Sequence, residues 1–420
     1  MVLRLDRLCT WIFIASIALM LPSIVFVKMV DELGCYMLGA VALVDCIVNK
    51  QYKKYAIIGV FVLVFAFYVL YSIFFLKFNT PKYILMDAII ELKPFLPYLV
   101  IFAIAPVFSE SEKRVAKVLC IINVALCLAL AFMSDYIIKD LINHVVYIGT
   151  TCFICATTFL FLSIDSEGKV GNRDLATVIA MLVVGLSCTR AKYYGEFVFY
   201  MFFLFLYKPG VLKNFNIKHA LLLVAVVAVV IAVSWNKISY YFITGNSDSF
   251  DIETMESFAR PVLYATGGLI LLDYFPFGSG LASFASFASS QNYSTLYYEY
   301  GINNVWGLSE DFGDFICDAY YPCLAQFGIV GIVLFALVFI KIYHHLRALI
   351  RHDAARYKFP FIVGSMAIVF ILIENIAGTL FVQTSGMLAM MLLGFSASMS
   401  KNFEEVNTLS TTKKTFTIKI

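Results

Sequence analysis

The chain has 420 residues, of which 61% are hydrophobic and 14% charged, with a formal net charge of +3. A soluble domain carries charge on roughly 25% of its residues, so this composition excludes an ordinary water-soluble protein. The net charge says little about partners, and no nucleic acid is expected among them. What remains is an integral membrane protein, in which the placement of the charges says more than their sum.

Apolar runs of helix-spanning length, about 17–25 residues for a hydrocarbon layer ~30 Å thick, recur along the chain. They predict an all-α polytopic protein with about twelve spans, at residues 8–28, 33–49, 56–76, 84–107, 118–134, 145–163, 175–189, 196–207, 218–235, 323–342, 359–382 and 384–399. The first begins MVLRLDR and resembles a secretory signal. Its apolar stretch exceeds the usual h-region and lacks a small-x-small cleavage site, so it reads as an uncleaved helix. Most Lys and Arg fall in connections on the same side as Arg4 and Arg7, including Arg114, Arg173, Arg347, Arg351 and Arg356. By the positive-inside rule both termini are expected on the cytoplasmic side of a bacterial inner membrane. Two arginines, Arg190 and Arg260, fall on the other side.

The fourth span, YILMDAIIELKPFLPYLVIF, carries Asp87, Glu91 and Lys93. Such charges cost about 2.5–3.5 kcal/mol each at a bilayer centre, which predicts a polar interior around them. Lys93 has two readings: a positive charge offered to a bound anion, or a structural bridge to Glu374 in the eleventh span. Cys152 and Cys155 form a CxxC in mid-span with no second pair or histidine near in sequence, and read as small buried residues. Cys317 and Cys323 lie near the outer face, where a disulfide is chemically permitted.

The chain divides into helices one to nine (1–235), one large outer loop (236–322), and helices ten to twelve with a cytoplasmic tail (323–420). The loop is too long for a simple connection and too aromatic for disorder. Ser257 is a candidate N-cap and Pro261 falls in the first turn of a short amphipathic helix over 260–273. That helix is too short to span, so it is expected along the membrane surface. Pro276-Phe277-Gly278-Ser279-Gly280 ends it with turn residues.

Ten acidic residues and ten tyrosines sit in this loop, with Lys237 and Arg260 its only Lys or Arg and no histidine. Aromatic rings cover the apolar faces of sugars and carboxylates accept their hydroxyl protons, so the composition suits a carbohydrate. Tyr293, Tyr297, Tyr298, Tyr300, Trp306, Tyr320 and Tyr321 are the candidate surface, with Glu310 beside them; Tyr240 and Tyr241 read as an interfacial belt. Arg260 at a helix start, with Arg190 and Lys192 at another outer boundary, suits a lipid-linked phosphate or diphosphate. No phosphate loop, DxD pair or metal-ligand spacing is present, and no cofactor or metal is expected.

FARPVLYATGGLILLDYFPFGSGLASF, followed by DAYYPCLAQFGIVG, resembles the O-antigen polymerase and ligase family. The likeness lies in an Arg leading an amphipathic helix (Arg260), a P-x-G-x-G-x-x-[ST]-F turn (Pro276 to Phe284), and a short motif before a span opening G-I-x-G (Asp318 to Gly331). It covers the chain in topology and residues 190 and 258–331 in motif. The resemblance implies a glycosyltransferase C-like membrane fold that joins undecaprenyl-pyrophosphate-linked oligosaccharides on the outer leaflet. Membrane lipids, and a chain-length regulator protein, would be its partners. Arg190 and Arg260 would stabilise the departing diphosphate with Lys192 or Lys93 as helpers. Asp318 would be the base, with Glu310 and Asp314 in reserve, and Tyr320 or Tyr321 would hold the sugar. Ligases of this family resemble one another in a histidine before the G-I-x-G span; Asp318-Ala319-Tyr320-Tyr321 stands there instead, which favours a polymerase. A ligase and a lipid-linked oligosaccharide flippase remain the alternatives, and an acyltransferase would have only His144 as an outer-side base.

Overall fold

In a computed structural model, residues 4–26, 29–133, 141, 142, 144–207, 235 and 259–401 are described. Among them the protein is helical, with no strand. The ninth predicted span up to residue 234, Ser257, Lys237, Tyr240 and Tyr241 lie outside the described residues. The main helices are α1 (Leu5–Ala18), α2 (Val30–Val48), α3 (Ala56–Tyr71), α4 (Pro81–Leu92), α5 (Phe95–Ile104), α6 (Glu110–Ala131), α7 (Val146–Leu162), α8 (Asn172–Gly185), α9 (Ala191–Met201), α10 (Ala259–Asp273), α11 (Gly328–His352), α12 (Lys358–Glu374) and α13 (Thr384–Ser398).

Among the described residues three continuous helical stretches are long and apolar enough to cross a membrane: Tyr52–Leu76 with 25 residues, Glu110–Ala131 with 22 and Tyr320–His352 with 33. At 1.5 Å per residue even the shortest exceeds the ~30 Å hydrocarbon layer. Exposure supports a lipid environment. Only Tyr68 of α3 is buried, while Leu63, Leu70, Phe74 and Phe75 lie open at 54–78% exposure. An apolar surface of that extent is not sustained in water. α13 and α7 are also apolar on all faces but lie inside: every residue of α13, and of α7 from Ile148 onward, is buried. They pack against α5, α6, α8 and α12, forming the centre of the bundle.

The fourth predicted span is not one helix. It breaks at Lys93-Pro94 into α4 and α5, because Pro94 has no N–H to offer Ile90 and its ring crowds that carbonyl. The break leaves Lys93 at a helix end, beside the start of α2.

Polar contacts sort the bundle into two ends. At one, Arg7 meets Glu112, Lys117 meets Asp174 at 3.0 Å, Arg356 reaches Ser166 O at 3.3 Å and Lys401 reaches Ala103 O at 2.9 Å. This end gathers most basic connections. At the other end stand Arg190, Lys192, Lys93 and the whole 259–327 segment.

Candidate active site

The site is built on the turn after α10. Gly278 and Gly280 have φ of +79° and +80°, and a Cβ on Gly278 would lie 2.3 Å from Ala325 O. Glycine is therefore needed for both conformation and close approach. The turn docks on the start of α11 through Gly280 N to Gln326 O at 2.9 Å and Val330 N to Pro276 O at 3.2 Å. The Gln326 side-chain oxygen accepts from Ser283 N at 2.9 Å, and Asp87 accepts from Ala282 N at 2.7 Å. Ser72 Oγ accepts from Leu281 N at 2.8 Å. Asp87, fully buried, thus fastens the turn to α4. The two segments quoted for the family resemblance form one interlocked unit.

That unit sets α10. Its inner face (Ala259, Leu263, Thr266, Gly267, Ile270) is buried, and its outer face exposes Leu269 and Leu272, with Phe275 just beyond. An apolar outer face fits a helix lying against lipid. Tyr264, one turn into α10, donates to Ile376 O at 2.8 Å, holding the helix start over the connection after α12.

At that start Arg260 forms an ion pair with Asp318. Burial raises the Asp318 carboxyl above its ordinary range, while the adjacent Arg260 and the more distant Lys192 pull it down. Lys192, second residue of α9, pairs with the buried Glu374 and donates to Ala377 O at 3.1 Å. Glu196, one turn further along α9, is fully buried within electrostatic reach of Glu374 and Lys192. Two ion pairs thus stand side by side, each carried on the first turn of a helix.

The other candidate residues are distributed differently from expectation. Arg190 Nη2 contacts His144 Nε2 at 3.0 Å, and Lys192 rather than Arg190 is the second cation acting on Asp318. Lys93 does not bridge to Glu374: it pairs with Asp31, and with Glu32 at 3.6 Å. The break at Pro94 turns it toward α2, and Glu374 already holds Lys192. Tyr320 is buried, donating to Glu91 at 2.8 Å, and Tyr321 donates to Leu372 O at 2.7 Å. Both hydroxyls fasten helices. The predicted aromatic surface divides: Tyr297 is fully buried, Tyr293 donates to Leu308 O at 2.5 Å and Tyr300 to Asp273 at 2.7 Å. Tyr298, bonded to Glu310 at 2.6 Å, and Trp306, packed on Phe312 and Phe315, stay open to the outside. Glu310 raises the Tyr298 hydroxyl by holding its proton.

All ten cysteines are free thiols. Cys323 meets Glu91 at 3.7 Å and receives a bond from Gln326 at 3.0 Å, so it is not bridged to Cys317. Cys152 and Cys155 are buried, and their thiols face Cys127 and Cys120 of α6.

Residues not anticipated from sequence are Asp31, Glu32 and Gln326. Nothing local marks them, since each matters only through a partner distant in the chain. No known protein-family model and no curated protein matches this chain.

Proposed function

We propose that this protein is a membrane glycosyltransferase, a polymerase of surface polysaccharide repeat units carried on undecaprenyl diphosphate. The observation that carries the reading is the Arg260–Asp318 pair standing next to Lys192 at the end of the bundle opposite the basic connections. A cation set for a diphosphate and a half-buried carboxylate for a proton are what glycosyl transfer from a lipid diphosphate demands.

In this mechanism the donor diphosphate binds Arg260 and Lys192 and displaces Asp318 from the guanidinium. A hydroxyl of the acceptor repeat attacks the anomeric carbon of the growing chain. The carbon–oxygen bond to the diphosphate breaks, lipid diphosphate leaves with the bonding electrons, and Asp318 takes the hydroxyl proton. Partial burial suits Asp318 to that task, because a carboxylate stripped of its cation and partly shielded from water binds protons more readily. Arg190, held by His144, steadies the same outer boundary. We infer further that the chain crosses a bacterial inner membrane about twelve times, with both termini in the cytoplasm.

The test is incubation of purified protein with a defined lipid-diphosphate repeat, scoring chain length. Arg260→Ala is expected to lower transfer ~10²–10³-fold, the loss typical of one pre-placed donor. Wild-type ladders from both Arg260→Ala and Arg260→Lys, at normal protein levels, would remove Arg260 from the chemistry. A ligase would give itself away by leaving long unlinked polymer in a knockout, and a flippase by moving the repeat across vesicles without extending it.

A further inference from the structure

Beside the ion pairs lies a cavity of about 850 Å³, within the ~300–1,000 Å³ range of small-molecule sites. Its walls come from α2, the end of α4, the start of α7 and the chain entering α13. Cys317 lines it and immediately precedes Asp318, and Thr379 lines it one residue beyond Gly378, which neighbours Lys192. The cavity therefore adjoins the diphosphate site.

Its chemistry differs from that site. Thr150, Thr151, Thr384 and Ser385 are buried residues of its lining; the Thr150 hydroxyl donates to Tyr147 O at 3.2 Å, and Tyr147 donates to Gln383 across the lining at 3.2 Å. Polar side chains share this lining with Met20, Ile24, Met29, Ile90, Phe287 and Val382, a mixture that suits a sugar, whose rings offer hydroxyls along with apolar faces. Among the described residues of the lining the one ammonium is Lys93, which is taken by Asp31 and Glu32. Two carboxylates against one ammonium leave a formal charge of −1, so the cavity repels a phosphate or a uronate.

Resting on the polymerase reading, we propose that this cavity is the glycan subsite, and that Asp31 and Glu32 restrict it to neutral or amino sugars. The diphosphate end of the substrate then goes to Arg260 and Lys192, and the sugar end to this cavity.

Cys317 reports occupancy. Burial pushes its thiol up to about 12, so it labels slowly and occlusion is readable as a rate. The full-length protein is treated with a thiol reagent and labelling at Cys317 is followed by mass spectrometry. Three probes are compared: a prenyl diphosphate bearing a neutral oligosaccharide, the same lipid bearing a uronate, and the lipid diphosphate without sugar. The neutral glycan is expected to slow labelling roughly tenfold, corresponding to occupation at about ten times its Kd. The sugar-free lipid leaves the rate unchanged, the uronate protects far less, and Glu32→Gln restores protection by the uronate. Equal protection by the sugar-free lipid, or a uronate indifferent to Glu32→Gln, overturns the proposal. Polymer formation with Cys317 labelling unaltered defeats the subsite and leaves the polymerase reading standing. Protection by the neutral glycan with no polymer formed upholds the subsite and defeats the polymerase.

Discussion

Replacing Asp318 with asparagine separates binding from chemistry at the proposed site. The Arg260 and Asp318 side chains are 24% and 30% exposed, so their ion pair is neither fully solvated nor deeply buried. A hydrogen bond to a charged group contributes about 1.5–3 kcal/mol when sheltered, and partial exposure lowers that toward the surface value. A cost of about 1.4 kcal/mol for displacing the carboxylate is a factor of ten in affinity. Asp318→Asn removes the charge that competes for Arg260 while nearly keeping the shape. A short-chain prenyl diphosphate should therefore bind the variant about tenfold more tightly by calorimetry, while glycosyl transfer falls by about 10²–10⁴ through loss of the base. Arg260→Ala serves as the control and should weaken the same binding. If Arg260→Ala weakens binding but Asp318→Asn leaves it at the wild-type value, the displacement step is wrong although Arg260 still holds the anion. If neither variant changes binding, the anion site lies elsewhere.

The acid limb of transfer should fall as pH drops through the ionisation of Asp318, since only the carboxylate accepts a proton. Its burial, opposed by Arg260 and Lys192 with Tyr264 and Cys317 close by, places that limb above the ordinary carboxylate value of 3.8; a midpoint at or below it in a pH–rate profile contradicts the assignment. Lys192→Met leaves Glu374 buried without its ammonium and should cost about 3–5 kcal/mol. Adding Glu374→Leu should recover much of the lost thermal midpoint of the detergent-solubilised protein. Gly278→Ala should undock the turn, seen as new proteolysis near residues 276–284 together with loss of polymer, because φ is +79° and the backbone of Ala325 and Gly328 occupies the space. Gly268→Ala, on the open side of α10 with nothing within 4 Å, should raise helix stability by about 0.5–1 kcal/mol. Equal effects from the two glycine substitutions would contradict the packing described.

Much of the architecture was legible in one dimension. Helix positions followed from the length of apolar runs, and the short helix at 259–273 from its proline and the turn behind it. The break at Pro94 was legible too, yet the predicted fourth span ran through it. The site was legible as residue types and only partly as partners. Arg260 and Asp318 were both singled out, but their pairing joins residues 58 positions apart in sequence.

Hydropathy by itself settled that the protein is helical and apolar enough for a membrane, because the bilayer imposes one length scale and one way of pairing the backbone. It could not tell α3, exposed along nearly its whole length, from α13, buried throughout, since both are apolar on every face. Nor could it say that Lys93 belongs to Asp31 and Glu32 while Lys192 belongs to Glu374. Local sequence makes a charge costly inside an apolar bundle, and only the packing of distant helices decides which opposite charge relieves that cost.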